Sequence, residues 1–229
     1  MDLLEAIKSR HSVRSFTGRK IQGDFAEALR GIIDRYNEDS GLNMQLFFDE
    51  PKVFESRLAR YGRFKNCRNY LVLAGPRGKD ELYGYYGQHF VLKTQQLGLN
   101  TCWVGLHYRG SRIPASLNRG ERVRLVIALG YGETQGRPRR SKDMMELCRV
   151  DGDVPGWFRD GMEAALLAPT ATNQQKFLLT LSGNKVTAKA LPGFYSRVDL
   201  GIVKCHFEIG AGKDNFEWDQ APGEKKWKE

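Results

Sequence analysis

Ser9-Arg10-His11-Ser12-Val13-Arg14-Ser15-Phe16 near the N-terminus and, far downstream, Ala168-Pro169-Thr170-Ala171-Thr172-Asn173-Gln174-Gln175-Lys176-Phe177 decide how this chain is read. In the first stretch two guanidinium groups flank a hydroxyl where an apolar helix, Leu3-Leu4-Glu5-Ala6-Ile7, runs out. Donors with fixed positive charge converge there on a small region suited to a phosphate. The second stretch gathers hydroxyls and side-chain amides at a helix-to-strand junction. Such groups hydrogen-bond the edges of a flat heterocycle without adding charge.

Working outward, periodicity predicts alternating helices and strands. Asp2 is placed to cap a helix over 3–10, and Phe25, Leu29, Ile32 and Ile33 form the apolar stripe of a second over 24–36. Strands are expected at 45–48 and 70–74. A long helix over 80–98 carries Leu82, Tyr86, Phe90 and Leu97, with Gly98 where a left-handed cap belongs. Arg122 to Ala128 alternates and then becomes continuously apolar, as a central strand does. Asp151 to Pro155 has linker composition, after which a helix over 156–167, strands at 177–181 and 186–191, and a helix over 197–210 are expected. The chain thus divides into 1–150, 151–211 and a polar tail, 212–229, whose Trp218 and Trp227 are read as anchors on the protein's own surface.

The 229 residues, 41% of them hydrophobic, can bury a core. No apolar run approaches bilayer length, and Met1-Asp2 opens directly into an amphipathic helix, so a soluble cytoplasmic protein is expected. Cys67, Cys102, Cys148 and Cys205 are widely spaced without a paired motif, which disfavours a zinc site and a disulfide framework; they read as reduced, buried thiols. The net charge of +9 attracts phosphorylated or anionic ligands. Its dense groups are 10–14, 137–142 and 225–228, and no nucleic-acid-binding motif accompanies them. Gly130-Tyr131-Gly132-Glu133-Thr134-Gln135-Gly136 has one residue too many for a dinucleotide fingerprint and precedes Pro138, so it reads as a loop.

Together the two opening stretches resemble the flavin-binding signatures of the nitroreductase family. Gly98-Leu99-Asn100-Thr101-Cys102-Trp103-Val104-Gly105 is similar to that family's turn beside the flavin ring. Ala128-Leu129-Gly130-Tyr131-Gly132 with Gly136-Arg137-Pro138-Arg139-Arg140 is similar to its terminal strand and basic loop. The resemblance covers most of residues 1 to 212. It implies an α+β fold with mostly antiparallel sheets flanked by helices, and a cofactor-binding set of Arg10, His11, Ser12, Arg14, Val104, Gly105, Arg137, Arg139, Pro169, Thr170, Asn173 and Gln175. By the same resemblance the arginines and Ser12 hold the phosphate of FMN, and Arg14 stabilises the reduced flavin at its N1 and O2 edge. The amides at Val104 and Gly105 face N5 and O4, while Asn173 and Gln175 meet the pyrimidine edge or ribityl hydroxyls. His11 offers a backbone or ribityl contact; His89, His107 and His206 are structural.

The motif order departs from the family. Ordinary members place the Pro-Ser-x-x-Asn-x-Gln segment before the Gly-Leu turn and take it from the second subunit of a dimer, whereas here it follows the basic loop. Asn43-Met44-Gln45-Leu46-Phe47 and Asn173-Gln174-Gln175-Lys176-Phe177 share an Asn-x-Gln-x-Phe core. An internal duplication is therefore expected, giving two pseudo-symmetric halves, one retained flavin site, an empty mirror site near Asn43 and Gln45, and a monomer. Thr170 stands where the family has serine, and Lys176-Phe177 where it has Pro-Trp. The implied activity is transfer of hydride from NAD(P)H through FMN to an electron-poor acceptor such as a nitroaromatic or quinone. The alternative is a flavin-binding protein without turnover, for storage or sensing.

Overall fold

The computed structural model of the chain describes residues 1–220 and 222; Trp227 and the basic group at 225–228 lie outside the described residues. In chain order the helices are α1 (Leu3–Ser9), α2 (Asp24–Ser40), α3 (Arg57–Tyr61), α4 (Asp80–Gln96), α5 (Met144–Leu147), α6 (Gly156–Leu166) and α7 (Ser196–Ala211). The strands are β1 (Gln45–Phe47), β2 (Asn69–Pro76), β3 (Asn100–Val104), β4 (Glu121–Gly130), β5 (Cys148–Val150), β6 (Phe177–Ser182), β7 (Lys185–Ala190) and β8 (Glu217–Trp218).

Packing divides these elements into two compact units that are not consecutive segments. Ser9–Gly78 and Phe90–Pro138 form the β1–β4 unit, while Met1–Lys8, Lys79–His89 and the chain from Arg139 onward form the β5–β8 unit. Linker composition at Asp151 to Pro155 points to a break near residue 150, and that stretch is a loop. Yet β5, just before it, pairs in parallel with β6, just after it. Backbone pairing across the loop moves the boundary to the basic loop.

The β1–β4 sheet is antiparallel throughout, in the order β1-β2-β4-β3. Its continuous apolar strand, β4, is central and buries Leu125 to Leu129, as a strand covered on both faces requires. Val13, Phe16, Phe54, Phe64, Tyr70, Val72, Val104 and Val126 share one core cluster. Helix α2 runs to Ser40 and stops at Gly41, whose left-handed φ of 65° lets its N–H return to the Asn37 carbonyl. Of the stripe on α2, Leu29 and Ile33 are buried while Phe25 faces solvent. Gly98, at φ 77°, turns the chain from α4 into β3.

The β5–β8 sheet has the order β5-β6-β7-β8. The β6–β7 hairpin is antiparallel, whereas the short outer strands β5 and β8 add in parallel. Asp2 caps α1 reciprocally: its carboxylate accepts from Glu5 N–H, and the Glu5 carboxylate from Asp2 N–H. Residues 80–89 of α4 cross α7 with almost no space between backbones. A Cβ at Gly84 would overlap the Val198 carbonyl, and one at Gly201 the Glu81 carbonyl. Around this crossing the buried Lys204 ammonium donates to Glu81 (2.6 Å), and His206 is bonded to Gln88 (2.7 Å) and the Ala164 carbonyl (2.9 Å). Each buried polar group is thereby matched, as burial demands. Trp218 is the anchor its sequence position implies, since its indole N–H donates to Glu208 at 2.6 Å and its ring packs on Phe207 and Phe216.

Candidate functional site

In the β1–β4 unit the arginine stretch is extended rather than helical. Beyond the end of α1, Ser12 bridges Thr101 of β3, and Val13 N–H donates to the Thr101 carbonyl at 3.0 Å. Along this edge Val13 and Phe16 are buried while Ser12 and Arg14 are exposed. Arg10 is different: it is only 2% exposed, so it belongs to the interior as much as to any ligand. Arg14 has no hydrogen bond or ion pair from its guanidinium among the described residues. Burial holds the Cys102 thiol above its ordinary range, against the opposing pull of Arg14, Arg10 and the Ser12 hydroxyl, so the sulfur stays neutral beside two cations. The four cysteines are all buried and free.

The basic loop reaches the same place. Gly136 lies against the arginine stretch at φ 78°, and a Cβ there would stand 2.7 Å from the His11 Cβ and 3.2 Å from the Ser12 carbonyl. Only glycine combines that conformation with that approach. Arg137 follows, exposed and without an ion pair among the described residues. Val104 closes β3 opposite Val126, about 10 Å along the strand from Thr101, and Gly105 comes next. One unit therefore brings together Arg10, His11, Ser12, Arg14, Val104, Gly105 and Arg137.

The β5–β8 unit gathers the remainder: Arg139, Pro169, Thr170, Asn173 and Gln175. The Arg139 guanidinium donates to the carbonyls of Leu166 (3.3 Å) and Ala168 (2.6 Å), where α6 ends, a favourable place for a cation. Its Nε is buried without an acceptor, and burial lowers its pKa. Beyond Pro169, the backbone at Thr172, Asn173 and Gln175 is left-handed, at φ 51°, 57° and 46°. Non-glycine residues hold such conformations only where the surroundings enforce them. Thr170 Oγ1 accepts Gln175 N–H at 3.0 Å, and Asp199 of α7 accepts Ala171 N–H at 3.0 and 3.1 Å and the Gln174 side-chain amide at 2.8 Å. Burial raises the Asp199 pKa to about 6, against the lowering effect of those same donors.

The two expected amides are engaged by their own chain. Asn173 Nδ2 donates to the Arg140 carbonyl at 2.9 Å; Gln175, only 3% exposed, accepts Lys142 N–H at 3.0 Å and donates to the Arg140 carbonyl at 3.3 Å. Sequence reasoning passed over Asp199, Gln174 and Gly136. Asp199 reads as an ordinary acid in the first turn of a helix, and the spacing of Gly136 from a motif could not reveal what its missing side chain makes room for. A cavity of about 420 Å³ among Pro51, Phe54, Ser56, Arg60, Phe64 and Cys67 is lined by none of the expected site residues.

These units define an α+β protein of the nitroreductase fold. The crystal structure of a "putative nitroreductase" from Thermotoga maritima superposes with a TM-score of 0.63 at 22% identity, over 93% of this chain and 85% of that one. A "putative nitroreductase" from Desulfovibrio desulfuricans, in complex with FMN, gives 0.50 at 18% identity, over 68% and 99%. The chain belongs to the family described as "Putative TM nitroreductase", which it matches over residues 2–211, and so to an oxidoreductase class. No curated protein matches it. Among the described residues no helix is long and apolar enough to cross a membrane.

Proposed function

We propose that this protein is an FMN-dependent oxidoreductase that takes hydride from NAD(P)H and reduces an electron-poor acceptor such as a quinone or nitroaromatic. The observation that carries this reading is the exposed, unpaired guanidinium of Arg14 beside Ser12, on a strand edge that Gly136 keeps open for the basic loop. Bound FMN would supply the hydride chemistry, and the chain supplies binding and electrostatics. Arg10, Ser12, Arg14 and Arg137 bind the phosphate and the flavin edge with charge-assisted bonds. A fixed cation at Arg14 favours negative charge accumulating there on reduction. Backbone at Val104 and Gly105 faces the ring, and His11 contributes backbone. The buried Nε of Arg139 and the Thr170 hydroxyl, whose oxygen already accepts Gln175 N–H, have a hydrogen left to donate. Pro169, Asn173 and Gln175 belong to the set that the family resemblance implies, the last two with their amides bonded to the basic loop at Arg140 and Lys142.

The segment that ordinary members take from a second subunit is carried here by the same chain. The protein is accordingly a cytoplasmic monomer holding one FMN, the product of an internal duplication in which the copy at Asn43 and Gln45 lost its flavin. Release of the cofactor from purified protein, followed by mass spectrometry, tests the assignment: FMN is expected, and FAD alone or no flavin overturns it. Steady NAD(P)H oxidation on adding a quinone is the expected activity. Bound FMN without turnover would leave the storage or sensing reading in its place.

A further inference from the structure

One hydrogen-bond arrangement occurs twice in this chain. In the β1–β4 unit, Asn43 Nδ2 and Gln45 Nε2 both donate to the Ser116 carbonyl (2.9 and 2.7 Å), Gln45 Nε2 also donates to Asn43 Oδ1 (3.0 Å), and Gln45 Oε1 accepts Ser116 N–H (3.0 Å). In the β5–β8 unit, Asn173 Nδ2 and Gln175 Nε2 both donate to the Arg140 carbonyl (2.9 and 3.3 Å), Gln175 Nε2 also donates to Asn173 Oδ1 (3.3 Å), and Gln175 Oε1 accepts Lys142 N–H (3.0 Å).

The backbones beneath the two arrangements differ. Gln45 lies in β1, whereas Gln175 is left-handed at φ 46°. Regular strand geometry therefore does not generate the pattern, and the side chains impose it. In each case two amide groups saturate both lone pairs of one loop carbonyl, and the glutamine then fixes a backbone N–H of the same loop, so a segment without secondary structure acquires three cross-links to a strand entrance. What differs is the cargo. The first pair holds the loop at Ser116, where Asn43 Nδ2 also donates to the Glu121 carboxylate (2.7 Å), and the second holds Arg140 and Lys142 in the basic loop.

We infer that the Asn-x-Gln pair is a backbone clamp, and that Asn173 and Gln175 are positioning residues, which fix the basic loop for an anionic ligand rather than touching the flavin ring themselves. The clamp stands on geometry alone; its link to FMN rests on the function proposed above. It also accounts for Asn43 and Gln45 persisting where no arginine stretch accompanies them, because their work was never flavin contact.

The test uses the full chain with two double variants, Asn173→Ala/Gln175→Ala and Asn43→Ala/Gln45→Ala. Hydrogen exchange is followed at the Lys142 and Ser116 amides, with the FMN dissociation constant and the midpoint potential of bound FMN. The first variant should speed exchange at Lys142 only and weaken FMN about tenfold, the effect of leaving a carbonyl and an amide N–H without their partners. The potential of the flavin that still binds should not change. The second should speed exchange at Ser116 only and leave FMN affinity as it was. A shifted potential with Lys142 still protected would place the amides on the flavin and overturn the inference, as would unchanged exchange in both variants. Should the alanine pair not fold, Gln175→Leu gives the same readouts, since it removes both the acceptor for Lys142 N–H and the donor to the Arg140 carbonyl while keeping an apolar side chain of similar length. If the wild-type protein takes up no FMN, the functional proposal fails while the exchange arms still decide the clamp.

Discussion

Arg10 and Arg14 look equivalent in sequence and are not equivalent in the fold. Burying Arg10 makes its replacement a core change, whereas Arg14 projects from an edge and can be removed at little cost to stability. Arg14→Ala should unfold within about 0.5 kcal/mol of the wild type yet bind FMN at least tenfold more weakly by fluorescence titration. Equal affinity would remove Arg14 from the site. Asp199 gives a second expectation at this scale. Its pKa rises from the ordinary 3.8 to about 6 on folding, so the native state holds the proton more tightly than the unfolded chain. Its favourable contribution is complete below 3.8 and is lost as pH climbs through about 6. Each tenfold difference in proton affinity is worth about 1.4 kcal/mol, so the loss amounts to roughly 3 kcal/mol in all. Urea unfolding between pH 4 and 7 should show this slope, and Asp199→Asn should flatten it. An identical pH profile for the variant would mean that another group sets the dependence.

At the scale of elements, helix crossings depend on residues whose contribution is absence. The apolar spacing of α4 and α7 was enough to place both helices, but it cannot tell that Gly84 and Gly201 bring the backbones together. Gly84→Ala would force a methyl group into the Val198 carbonyl, so the helices must separate, and the surrounding bonds of Lys204, Glu81, Gln88 and His206 would stretch with them. A loss of roughly 3 kcal/mol is expected in chemical denaturation, at the upper end for an overpacked core. A loss under about 1 kcal/mol would show that the crossing relaxes easily. Short elements illustrate the converse. Helix α3 and strands β5 and β8 carry too few residues for a period to declare itself, and β5 and β8 exist because β6 and β7 offer them edges.

For the whole molecule the informative comparison is between chain order and contact order. The stretches that resemble the family's signatures stand in a sequence order that its two-subunit members do not use. A single chain carrying the full set should run as a monomer in light scattering, with one FMN per chain by absorbance. An obligate dimer that sheds FMN on dilution, or two FMN per chain, would refute the fused arrangement while leaving family membership intact. The packing units also interleave along the chain: residues 1–8 and 79–89 join the β5–β8 unit, so a cut at residue 150 should not release an independently folded N-terminal half.

Local chemistry was legible from the amino-acid sequence. The Asp2 cap, the left-handed Gly98, the central strand β4, the buried thiols and the family signatures all follow from residue types at fixed short spacings, because capping, turn formation and amphipathicity act over a few residues. Tertiary structure decided the rest. It buried Arg10 and exposed Arg14, gave Asp199 two donors, Ala171 N–H and the Gln174 amide, from a loop 25 to 28 residues away in the chain, turned Arg139 to the end of α6, and closed the amides of Asn173 and Gln175 on Arg140 and Lys142. Each of these depends on which backbone groups meet across long separations, and desolvation and hydrogen-bond satisfaction act only once they have met.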